Sequence, residues 1–133
     1  MDHYVPSNEQ LVVELYVQDI ERSKQFYQEL GFDLIRAEPN FAVLGWESSR
    51  LLLAEIEGQP APPSTVVANV RIMVPHVDRY WHLAQRMGLD VLHPIDDRYY
   101  GLRDFTVRSP DGIALRFATR IVNAEPGTEG DIT

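Results

Sequence analysis

The sequence predicts an α+β protein of two tandem βαβββ modules, their strands forming a curved mixed sheet around a cleft with the helices outside. Three observations predict it. Residues 12–36, VVELYVQDIERSKQFYQELGFDLIR, align without gaps on residues 69–93, NVRIMVPHVDRYWHLAQRMGLDVLH, at an offset of 57. Both copies place a helical stripe of apolar residues between a helix-start signal and a glycine. Both are followed by two runs with the alternation of a hairpin.

Each copy opens with a strand, Leu11 to Val17 and Val70 to Val74. Asp19 is a natural N-cap before Ile20, and Pro75-His76-Val77-Asp78 marks the same boundary in the second copy. The spacing predicts helices over 20–30 and 78–87. Ile20, Ser23, Phe26, Tyr27 and Leu30 form one stripe; Tyr80, Leu83, Ala84 and Met87 form the other. Gly31 and Gly88 suit the left-handed position that ends a helix. Strands follow over 32–36 and 89–93, then hairpins over 41–45 with 51–56 and 101–107 with 113–119. Ser109-Pro110-Asp111-Gly112 is the second hairpin's turn.

All 133 residues read as one domain: module one over about 11–57, a Pro/Gly linker over about 58–65, module two over about 66–120. Composition predicts mobile chain over 1–9 and from about 123 onward. A hydrophobic content of 44% suits a globular core. Cysteine is absent, which excludes disulfides, thiolate metal sites and cysteine nucleophiles. The net charge of −8 disfavours nucleic acid and anionic membranes and favours a cationic partner at long range. MDHYVPSNEQ lacks the basic and apolar regions of a secretory signal, and no apolar run is long enough to span a membrane, so a cytoplasmic protein is expected.

Two stretches, VVELYVQDIERSKQFYQELGFDLI and YYGLRDFTVRSPDGIALRFA, resemble the vicinal oxygen chelate superfamily. That superfamily includes glyoxalase I, extradiol dioxygenases, and fosfomycin and bleomycin resistance proteins. The resemblance spans about 11–120 and specifies fold far better than function. In its metal-dependent members, His or Glu residues on inner strands hold a divalent ion. Aligned by motif, those positions fall on Val12, Ala54, Asn69 and Arg116, with Glu55 one residue out of register. Hydrocarbon, amide and guanidinium cannot replace imidazoles and carboxylates, so no metal and no cofactor is expected.

The face of the first strand that carries Val12 also carries Glu14 and Tyr16; its counterpart carries Asn69, Arg71 and Met73. Two roles are open for the charges. Glu14 pairs with Arg71 or Arg116 and fixes the two halves, or the cluster stays partly free to grip a ligand. Phe41 and Tyr100 match aromatics that stack on the drug in bleomycin resistance proteins; strand aromatics equally serve as core. Ala54 and Arg103 complete the candidate set of ligand-binding residues. Trp46 and Trp81 are either pocket edge or exposed apolar contact. The four histidines form no motif and read as surface or boundary residues.

The resemblance therefore implies a metal-free protein that sequesters a small aromatic or cationic compound in a cleft, in the manner of antibiotic-resistance proteins. It also implies a homodimer. The alternative is a lyase, isomerase or dioxygenase that uses a metal, or Glu14 as a general base.

Overall fold

The computed structural model describes residues 3–121. Strand β1 (Val13–Val17) leads into helix α2 (Ile20–Leu30), then β2 (Asp33–Glu38), β3 (Phe41–Trp46) and β4 (Ser49–Glu55). The second module repeats the order with β5 (Asn69–Met73), α3 (Val77–Arg86), β6 (Val91–Asp97), β7 (Leu102–Arg108) and β8 (Ala114–Arg120). Before β1, Ser7–Gln10 form a single helical turn, α1, where irregular chain is expected. Pro6, at φ −56°, precedes it, and its carbonyl accepts the Glu9 N–H at 2.9 Å. The expected mobile tail lies outside the described residues.

Each module is a four-stranded mixed sheet, in the orders β1-β4-β3-β2 and β5-β8-β7-β6. The β1–β4 and β5–β8 pairs are parallel and the others antiparallel. The chain divides into two compact units between Pro62 and Pro63, inside the predicted linker.

Local chemistry sets the helix ends. The Asp19 carboxylate accepts the Arg22 N–H at 3.1 Å. Gly31, at φ 118°, ends α2 in the left-handed region. A second device is long-range. Residues at the ends of the central strands cap the helix starts: Glu55 Oε1 accepts the Ile20 N–H, and Thr119 Oγ1 accepts the Val77 N–H, both at 2.9 Å. Ile20 and Val77 are repeat equivalents, so Glu55 and Thr119 are too. Glu55 thereby faces the helix, where its charge also complements the positive end of the helix dipole.

That equivalence corrects the expected register. β1 and β4 pair Glu14 with Leu52, just as β5 and β8 pair Arg71 with Arg116. The counterpart of Arg116 is therefore Leu52, and Ala54 is the counterpart of Ala118. The reason is the hairpin turn: two residues, 47–48, join β3 to β4 and five, 109–113, join β7 to β8, so a position counted from one turn does not carry over to the other.

The helix-facing sides hold the cores. Val17, Tyr27, Leu30, Leu44 and Leu53 are buried in module one; Phe105, Val107, Leu115 and Phe117 are buried in module two. Phe117 stacks on Tyr80 at 5.1 Å and on Phe105 at 5.5 Å, and Trp81 meets Phe105 edge-on at 5.3 Å. Trp46 meets Phe32 at 5.0 Å. Both tryptophans are thus half-buried packing residues.

Candidate functional site

Strand alternation sends the other side chains of module two to the face away from α3. Cross-strand register lines up one row over all four strands: Arg71, Arg116, Thr106 and His93. This face carries a cavity of about 440 Å³, within the range of small-molecule sites. Asn69, Ala114, Arg116 and Thr106 line it from the sheet, and Leu92 and His93 from β6. The β6–β7 register shifts between Val91 and His93, so two adjacent side chains reach one cavity. β6 is an edge strand and tolerates Pro94, which has no N–H to donate.

The remaining wall is the segment 66–68, which precedes β5. Two contacts hold it. The Ala68 carbonyl accepts the Ala114 N–H at 3.0 Å. Further back, the Arg108 guanidinium donates to the Ser64 carbonyl while pairing with Asp90 at 3.2 Å.

A polar network closes the third side. Asp104 is 2% exposed and has both carboxylate oxygens engaged. Arg98 Nε donates to Oδ1 at 2.8 Å, and the Tyr100 hydroxyl donates to Oδ2 at 2.7 Å. Arg98 also donates to the carbonyl of Pro94 at 2.6 Å, tying the loop to the bulged edge strand. Burial pushes the Tyr100 phenol above its ordinary 10.0; the hydrogen bond to Asp104 and its negative charge add to this, and Arg116 and Arg98 oppose it.

Arg116 is the anomaly. It lies in the middle of the sheet, its guanidinium carbon 5.9 Å from the centre of the Tyr100 ring. Its Nε is buried and has no hydrogen-bond partner among the described residues. No acid of module two forms an ion pair with it among the described residues.

The candidate residues fall into separate groups. Asn69, Tyr100 and Arg116 line this cavity, and Arg71 lies beside Arg116 on the same face. Tyr16, Ala54 and Phe41 form one row on the corresponding face of module one, with the Arg36 guanidinium 5.5 Å from the Phe41 ring. Glu14 sits in the adjacent row beside Leu52 and is exposed. Arg103 does not join the cavity. It shares its face with Phe105 and Val107, and its guanidinium is held by Asp78 at 2.9 Å and Asp97 at 3.1 Å. Sequence reasoning missed Asp104, Thr106, Arg98 and His93. In LRDFTVR, Asp104 and Thr106 alternate against Phe105 and Val107, the same signal that singles out Arg116 between Leu115 and Phe117.

The family's metal does not fit these residues. The four positions carry Val12, Leu52 by the corrected register, Asn69 and Arg116, and the last is a fixed cation. Glu55 is committed to the start of α2. Among the described residues no three His, Asp or Glu side chains gather as a ligand set.

Solved structures share the fold. A glyoxalase/bleomycin resistance protein/dioxygenase from Nocardioides superposes with a TM-score of 0.72 at 19% identity, covering 95% of this chain and 91% of that one. TioX from Micromonospora sp. ML1 gives 0.70 at 25% identity, covering 84% and 98%. A bleomycin resistance determinant encoded on the transposon Tn5 gives 0.67 at 17% identity, also covering 84% and 98%. No curated protein matches the chain. The sequence profile of one superfamily matches residues 1–117, nearly the whole described chain. With two βαβββ modules beneath that match, the chain belongs to the Glyoxalase/Bleomycin resistance protein/Dioxygenase superfamily.

Proposed function

We propose that the protein is a metal-independent small-molecule binding protein that sequesters an aromatic compound in the module-two cavity. The observation that carries this reading is Arg116, a cavity-lining guanidinium whose Nε has no hydrogen-bond partner among the described residues, at the position where metal-dependent relatives have a ligand. A cation there repels a metal and serves instead as a hydrogen-bond donor to an organic ligand. Ring and hydrocarbon surfaces of Tyr100, His93, Leu92 and Val66 supply the apolar contact. The fold shared with a bleomycin resistance determinant supports sequestration, which needs no bond made or broken.

General-base chemistry gains no support from the cavity. Its acid, Asp104, already has both oxygens occupied, and Glu14 is exposed on module one. The superfamily resemblance supports a homodimer in the cytoplasm. Exposed Val13, Tyr16 and Ile35, each at least half exposed, offer apolar surface for a second copy. Light scattering on the purified chain tests the dimer.

The test of function is a thermal-shift screen of the full chain against small aromatic compounds, beside zinc, nickel, manganese and iron. A ligand at about 100 times its Kd adds about 2.7 kcal/mol of stability, which the screen detects readily. Stabilisation by organic compounds and none by metals is the expected result. One tightly held divalent ion per chain refutes the reading.

A further inference from the structure

Resting on that reading, we infer that the cavity takes its ligand by an oxyanion, a carboxylate-class group seated on Arg116, and that it rejects a cationic one. The net charge of −8 points the other way, towards a cationic partner. Local charge at the cavity wall outweighs it at contact distance, because the many exposed carboxylates are screened by salt beyond about 10 Å.

Three features lead to this assignment. Among the residues that line the cavity, Arg98 and Arg116 face Asp104, leaving one positive charge in excess. Asp104 does not neutralise Arg116, since its oxygens are taken by Arg98 and Tyr100. Arg71 is the direct cross-strand neighbour of Arg116 on the same face. Two like charges opposite each other on a sheet repel, and a shared counter-anion relieves this.

The second feature is the unpartnered Nε. A guanidinium presents Nε–H and one Nη–H as a fork that matches the two oxygens of a carboxylate. A carboxylate entering the cavity reaches the Nη donors; a turn of the guanidinium brings Nε–H to the second oxygen. The ligand then satisfies a donor that the free protein leaves buried and unpaired. The third is the row itself, in which Thr106 and His93 continue the line of Arg71 and Arg116. Thr106, a residue 6% exposed that lines the cavity, supplies a further hydroxyl donor beside the anion.

The test uses three flat probes of one size that differ in charge: benzoate, benzamide and benzamidine. Each is titrated into the full chain in a low-chloride buffer of about 0.1 M ionic strength, followed by the side-chain Nε–H resonances of arginine and by the melting temperature. The expected result is that benzoate shifts the Arg116 Nε–H signal and binds at least about tenfold more tightly than benzamide, with benzamidine weakest. Arg116→Gln removes the preference without lowering the melting temperature, and Arg116→Lys, charged but not forked, keeps part of it. Equal binding of benzoate and benzamide overturns the inference, as does a preference for benzamidine or one that survives Arg116→Gln. If other aromatic compounds stabilise the protein while no probe prefers the anion, the oxyanion assignment fails and the binding function stands. If no organic compound binds, both fail.

Discussion

Replacing Asp104 by Asn tests the polar network that shapes the cavity. The substitution keeps the volume and one oxygen but removes the charge. Asn directs that oxygen to Arg98 Nε, now 2.8 Å away, and its amide to the Tyr100 oxygen, now 2.7 Å away; the tyrosine hydroxyl then becomes an acceptor. Two hydrogen bonds persist, the one from Arg98 still assisted by the guanidinium charge, but Arg98 loses its counter-ion and the bond to Tyr100 becomes one between neutral groups. Removing one partner of a fully buried pair costs about 3–5 kcal/mol. Arg98 is 25% exposed, so water compensates part of this, and about 2 kcal/mol is expected. The assay is urea denaturation at pH 7, read as a lower midpoint at unchanged slope. Ultraviolet titration of the phenol gives a second reading. Tyr100 is raised by burial first and by Asp104 next, so Asp104→Asn lowers its proton affinity. A loss under about 0.5 kcal/mol with an unmoved phenol titration would refute the network, since hydrogen bonds to charged groups ordinarily contribute about 1.5–3 kcal/mol.

Thr119→Val keeps the shape of the residue but removes the acceptor for the Val77 N–H and a 2.7 Å bond to the Val74 carbonyl. It is expected to cost about 1–3 kcal/mol and to speed amide exchange at Val77; unchanged exchange there would rule out capping from the strand. Glu55→Ala is expected to cost less, about 1 kcal/mol in a urea melt, because Asp19 still caps α2; an equal or larger loss counts against that division of roles. Tyr100 makes stability depend on alkaline pH. Its folded-state proton affinity is raised above the ordinary 10.0, so its contribution is complete below pH 10 and is lost as pH rises through the higher folded value. Wild-type stability should therefore fall more steeply than that of Tyr100→Phe above pH 10, and parallel curves would contradict the raised value.

Local signals were legible to the residue where they act alone. Helix α2 spans Ile20–Leu30 as its spacing predicts, since Asp19 and Gly31 fix both ends from within the segment. Helix α3 begins one residue earlier than expected. His76 makes no side-chain cap; the start is set by Thr119, 42 positions away in sequence, which no window around the helix contains. Arg116 was legible as an inward polar residue through strand alternation. The same alternation in β7, followed through, places Arg103 on the helix-bearing face and Asp104 and Thr106 beside Arg116. The bulges of β6 were not legible, because a register shift breaks the period-2 pattern on which a strand reading depends. His93 therefore reads as a boundary residue, though it lines the cavity.

The corrected register explains why the cavity's chemistry sits in module two although the scaffold is duplicated. Along the central row, module one carries Glu14, Leu52, Val43 and Arg36 where module two carries Arg71, Arg116, Thr106 and His93. In the next row, Tyr16, Ala54, Phe41 and Glu38 stand where module two has Met73, Ala118, Asp104 and Asp96. The middle strands of module one thus present hydrocarbon and a ring at the places where module two presents a cation, a hydroxyl and a carboxylate. A divalent-metal site needs several ligands of one chemical kind, and neither set of rows supplies them. A binding site for an organic molecule needs the opposite mixture: apolar surface for most of the ligand and a few polar groups that fix its orientation. Leu92, Val66 and the Tyr100 ring supply the first kind of surface at the module-two cavity, and Arg116 with Thr106 supplies the second. In module two, the face away from α3 thus combines apolar surface with fixed polar groups and holds no set of metal ligands among the described residues, while the helix-facing core stays apolar.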